Sequence, residues 1–184
     1  MRAHLTPEAY VGMDLSAAEL RRAVGVPVVL ADAARLPIAT GSCDAVVMSM
    51  ALQLVPFQQA LAEIARALRP NGVLVATVPV NSPLPAADWL RYGRLSVALR
   101  HKVSYPNDGA LASFSGTADL SVVSDEALAF KVDVSTAQRA DLLLDALYLP
   151  GVADERVAAG RTVVAKWIGH QVAVPIRRLV LSRV

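Results

Sequence analysis

Four short runs of valine, leucine and small residues restrict what this chain can fold into more than any other feature. They are YVGMDLS (10–16), PVVLADA (27–33), DAVVMSM (44–50) and GVLVATVPV (72–80). None alternates strictly between apolar and polar positions, so each reads as a strand covered on both faces, the pattern of parallel sheets rather than of half-solvated antiparallel ones. Helical stretches separate them. Ser16 is placed to cap AAELRRAV (17–24), and Glu19 three residues on completes a capping box. FQQALAEIARALR (57–69) carries Leu61, Ile64, Ala65 and Leu68 on one stripe, places Arg66 and Arg69 in its last turns, and stops at Pro70-Asn71-Gly72. Strands alternating with helices imply right-handed crossovers and a doubly wound sheet. Ligands in such sheets sit beyond the carboxyl ends of the strands, where Asp14, Asp32 and Ser49 fall.

The second half changes character. NSPLPAAD (81–88) is a proline-rich turn whose Asp88 is placed to cap a basic helix over 89–101. A weak helix is expected over 109–118, an extended strand or hairpin over 120–134, helices over 136–148 and 153–168, and a last strand over 172–184. Pro175 in that strand suits an edge or a strand start. We read residues 1–184 as one domain, with 1–80 and 81–184 as its two halves.

Composition bounds the function. Apolar residues make up 54% of the 184, enough for a substantial core, and the net charge of +2 is too small to argue for nucleic acid. No apolar run reaches the 18 or so residues of a membrane span. Cys43, the single cysteine, excludes a disulfide framework within the chain and fits a reducing cytoplasm. The histidines His4, His101 and His170 have no metal-ligand spacing, so no metal site is expected. The basic helix over 91–102, and the six basic residues with no acid from Arg156 onward, read as solvated faces.

Three segments together resemble the class I S-adenosylmethionine (SAM)-dependent methyltransferases: YVGMDLS, LADAARLPIATGSCDAVVMSMALQLV (30–55) and LAEIARALRPNGVLVATVP (61–79). The resemblance implies an incomplete doubly wound, Rossmann-like α/β fold, with a mostly parallel sheet, helices on both faces and an antiparallel C-terminal strand. It implies a carboxylate from Asp14, with Leu15 beside it, on the ribose hydroxyls of SAM, since a carboxylate at a strand end accepts two hydrogen bonds from a vicinal diol. By the same resemblance Asp32 and Ala33 hold adenine, and Ser49 and Met50 pass the methionine moiety with their backbone. Gln53 stands where the family often has a histidine, and is the candidate for substrate contact. The helices over 89–101 and 136–168 then form the substrate side, and the acceptor is a small molecule.

One departure is large. The family places a strand and a GxGxG-like loop ahead of the segment matching YVGMDLS, and glycine there lets the backbone approach the methionine of SAM. Here nine residues precede Tyr10 and none is glycine. The missing strand is central in the family's sheet, so its loss leaves two edges with unpaired backbone groups. We therefore expect impaired activity and weak SAM binding from this chain. Two other readings stand beside it. In one, the chain is a non-catalytic module forming homo-oligomers through the exposed sheet edges. In the other, it is a nicotinamide-dependent Rossmann enzyme with Asp14 on the ribose, against which the LADAARLP segment argues.

Overall fold

The structure is a computed structural model and describes residues 9–80, 82–101, 119–147, 149 and 151–184. Its elements run β1 (Gly12–Asp14), α1 (Ala17–Leu20), β2 (Val28–Leu30), β3 (Cys43–Ser49), a 3-10 turn (Leu52–Leu54), α2 (Phe57–Ala67), β4 (Leu68–Pro79), α3 (Ala86–Leu99), β5 (Leu120–Val134), α4 (Ala137–Asp145), α5 (Asp154–Ala165) and β6 (His170–Arg183). The weak helix expected over 109–118 and His4 lie outside the described residues. The fold is the α/β, mostly parallel arrangement that the strand pattern implies, in two ladders. One pairs β1 with β2; the other has the order β3-β4-β6-β5.

Both pairs from the first half are parallel. Asp14 lies opposite Leu30, and Ser49 opposite Thr77. The C-terminal strand is antiparallel: Val80 N–H donates to Pro175 O, and Val184 N–H donates to Asp119 O. Among the described residues no ladder joins β1 to β3.

The chain divides into two compact units, Met1–Thr77 with Asp108–Ser124 and Leu179–Val184, and Val78–Asn107 with Asp125–Arg178. In the first, α2 buries Ala60, Leu61, Ile64, Ala65 and Ala67, the face that the apolar stripe marks. Gly72 is required by close approach: a Cβ there would stand 2.8 Å from Arg69 O and 3.2 Å from Cys43 O. The β3–β4 register skips at this point, from Cys43↔Leu68 to Ala45↔Val73, so the Pro70-Asn71-Gly72 turn becomes a bulge at the start of β4.

In the second unit, Leu95, Leu99, Val134, Ala140, Leu144, Val164, Trp167 and Val172 form the core. Gly160 lets α5 pack closely on α3 and α4, because a Cβ there would meet Leu99 and Leu144 side chains at 2.8 and 3.3 Å.

Four local expectations are corrected. Asp88 does not cap α3; Pro85 holds that position, and Asp88 is buried on the helix. Its carboxylate accepts from Ala173 N–H at 3.0 Å and from Arg91 at 2.6 Å. A buried charge needs such partners, and this need outweighs the capping preference. Pro175 lies in an interior strand rather than at an edge. The lost N–H is tolerated because the proline sits opposite Val80, just past the last residue of β4, where the ladder ends. The α1 helix stops at Leu20 instead of residue 24. Its capping box is half made: Ser16 accepts from Glu19 N–H, but Glu19 turns to Arg22, and Ser16 N–H donates to Asp14 instead.

Candidate functional site

Two acidic residues stand at the carboxyl end of the parallel pair β1–β2, Asp14 as the last residue of β1 and Asp32 two residues past β2. Asp14 closes β1, and its carbonyl accepts from Ala31 N–H at 3.0 Å, so Asp32 follows directly on Asp14's backbone partner. Each carboxylate is exposed and turned by a local amide: Asp14 Oδ1 accepts from Ser16 N–H at 2.7 Å, and Asp32 Oδ1 accepts from Ala34 N–H at 2.8 Å. These short Asx-type bonds fix the side chains and leave the second oxygen of each to accept from a ligand. Arg35 N–H donates to Asp32 O at 2.9 Å and closes the turn that carries Ala33. Leu15 follows β1 with 72% of its surface exposed.

The second parallel pair ends at Ser49 and Met50. Thr77 Oγ1 donates to Ser49 Oγ at 3.2 Å, and Met50 N–H donates to Thr77 O at 2.8 Å. Met50 has φ +54°, a left-handed conformation that costs a non-glycine residue about 1–3 kcal/mol and clusters at ligand sites. Gln53, in the 3-10 turn, donates through Nε2 to Met50 O at 2.7 Å. That bond fixes which end of the amide faces which way, and Gln53 Oε1 is buried with no partner among the described residues.

The loop after Asp32 is held by α2. Glu63 Oε2 accepts from Leu36 N–H, and Arg66 donates to Leu36 O, Ile38 O and the Thr40 hydroxyl. The hydrogen bonds from Arg66 hold the Glu63 carboxyl below its ordinary pKa, partly opposed by desolvation. Among the described residues no group of three His, Cys, Asp or Glu side chains could hold a metal. No helix there is long and apolar enough to cross a membrane.

Residues 1–76 match the family model described as "Methyltransferase domain". This first part of the chain is similar to that family. Solved structures extend the likeness to the whole fold. A Haloferax volcanii protein described as a methyltransferase, in complex with the Trm112 methyltransferase activator, aligns with TM-score 0.60 at 16% identity, over 99% of this chain and 75% of that one. A Galdieria sulphuraria protein described as a sarcosine dimethylglycine methyltransferase aligns at 0.58 and 14%, over 95% and 69%. A geranyl diphosphate methyltransferase in complex with SAM aligns at 0.52 and 15%, over 96% and 69%. No curated protein matches the sequence.

The fold is thus the one these methyltransferases share. Within this fold, sequence reasoning places the acids at the strand ends and misses the groups that hold Ser49 and the loop after Asp32. Thr77 is legible only once β3 and β4 are paired. Glu63 and Arg66 show in sequence as an i, i+3 ion pair on α2, which says nothing of the loop they grip.

Proposed function

We propose that this chain is a SAM-dependent methyltransferase module acting on a small-molecule acceptor, in which Asp14 takes the ribose hydroxyls and Asp32 with Ala33 takes adenine. The observation that carries this reading is the junction of β1 and β2. Two carboxylates stand at adjoining carboxyl ends of parallel strands, each with one oxygen locked and one open. A vicinal diol and an exocyclic amine are the donors such a pair suits.

These residues fit the nucleoside half of SAM better than its methionine half. No glycine-rich turn follows β1, β2 or β3. Among the described residues, the backbone at Ser49 and the left-handed Met50 is placed to receive the amino-acid portion. When bound, SAM supplies an electrophilic methyl group on a sulfonium. The protein's task is alignment of an acceptor lone pair with that carbon. Gln53 Oε1, buried without a partner, supports a contact to an N–H or O–H donor of the acceptor. In the second unit α3 shows an exposed apolar face at Trp89, Leu90 and Val97.

Equilibrium dialysis of the purified chain against labelled SAM tests this. Weak, saturable binding that Asp14→Ala abolishes is expected. Micromolar affinity would overturn the impairment, and binding indifferent to Asp14→Ala would overturn the site.

A second reading has its own observation. Strand β2 and the centre of β3 are apolar, yet Val28, Val29, Leu30 and Val47 stay 37–59% exposed. Pairing of these edges with a sister chain would cover them, making the module an oligomerisation unit. Sedimentation at tens of micromolar showing only monomer rejects that reading.

A further inference from the structure

We propose that Arg66 and Glu63 are positioning residues for adenine recognition, holding the Asp32–Ala33 turn from outside the site; this rests on the assignment of Asp32 to adenine. All the groups involved lie in one compact unit. The turn is closed by Arg35 N–H on Asp32 O, and the next residue, Leu36, is gripped at both its backbone groups. Its N–H donates to Glu63 Oε2 at 2.9 Å, and its carbonyl accepts from Arg66 Nη2 at 3.1 Å.

A guanidinium has five N–H donors, and Arg66 makes five side-chain hydrogen bonds. Nε and Nη2 each reach the Glu63 carboxylate at 2.9 Å. The remaining three go to Leu36 O, Ile38 O at 2.8 Å and Thr40 Oγ1 at 3.2 Å. The backbone continues the attachment, since Gly41 N–H donates to Arg66 O and Ser42 N–H to Ala67 O.

A loop needs only burial to stay in place. A saturated planar fork instead sets it in one register, which lysine cannot reproduce with a point charge on a flexible stem. The Asp32 carboxylate is itself exposed and, among the described residues, braced by Ala34 within its own turn. Its aim is therefore set by where Leu36 is held.

The consequence is a selective one. Adenosine carries the exocyclic amine that Asp32 would accept from, and inosine has an oxygen there. Ligand-observed NMR titrations with adenosine, inosine and 2′-deoxyadenosine on the chain, Arg66→Lys and Glu63→Gln read the two halves of the site separately. The parent chain should favour adenosine over inosine by about tenfold, the worth of one charge-assisted hydrogen bond. In both variants that ratio should fall to near one, while the preference for adenosine over 2′-deoxyadenosine, which belongs to Asp14, persists. An inosine ratio unchanged in both variants overturns the positioning role alone. Parallel loss of both preferences also overturns it, because a general loosening of the fold then suffices. Absence of any adenosine preference in the parent chain overturns the assignment of Asp32, and this inference with it.

Discussion

In β2, Val28, Val29 and Leu30 keep 37%, 39% and 59% of their surface exposed, whereas in β4 Leu74 and Ala76 keep none. Both strands are spelled as continuous apolar runs, and both pair in parallel. The difference lies in their neighbours. Strand β4 has β3 on one side and β6 on the other, while among the described residues β2 pairs with β1 alone. Apolar spelling records the sheet a strand is suited to; burial records the neighbours it has. The candidate site straddles this contrast, with Asp14 and Asp32 on the bare pair and Ser49 on the covered one.

The sharpest way to break the comparison is to cut matched side chains. Leu74→Ala should cost about 2–5 kcal/mol by chemical denaturation, and Val29→Ala less than about 1 kcal/mol. Equal costs would mean that β2 is covered in solution.

Glycine substitutions give a smaller contrast. Gly72→Ala forces a Cβ to 2.8 Å from Arg69 O and 3.2 Å from Cys43 O, both backbone atoms that cannot swing aside. A melting experiment should show a loss of roughly 1–3 kcal/mol. Gly12→Ala in β1 places its Cβ 3.5 Å from Val28 Cγ1, an ordinary contact. It should be neutral or stabilising by up to about 1 kcal/mol. A destabilising Gly12→Ala would show that β1 is more tightly enclosed than its exposure indicates.

The smallest effect is a pH dependence. The Glu63 carboxyl is held below its ordinary pKa, chiefly by hydrogen bonds from Arg66. Its contribution to stability is therefore complete above the unfolded pKa of about 4.3 and lost as pH falls through the lower folded value. Wild type and Glu63→Gln should differ in midpoint at neutral pH and converge under acid. A gap that widens on acidification contradicts the assigned pair.

Much of this was legible beforehand, and the misses have a common cause. The strand ends at Asp14, Asp32 and Ser49, and the buried face of α2, follow from apolar spacing within a few residues. Asp88 looked like a cap because its local context is Pro-rich, but its backbone partner, Ala173, is 85 residues away. The Arg66 clamp spans 26 to 30 residues and joins an ion pair to carbonyls whose positions no local pattern reports. Pro175 suits an edge or a strand start by its local pattern, because a single strand does not reveal where its neighbour ends. Local chemistry writes itself into short windows; bonds made across the sheet do not.

Backbone amide shifts under increasing S-adenosylhomocysteine test the central assignment most directly. If one nucleoside bridges the tips of β1 and β2, signals of Leu15 and Ala33 move together along one saturation curve, and Asp14→Ala silences both. Movement confined to either residue, or perturbations gathered elsewhere on the chain, would contradict the shared anchor.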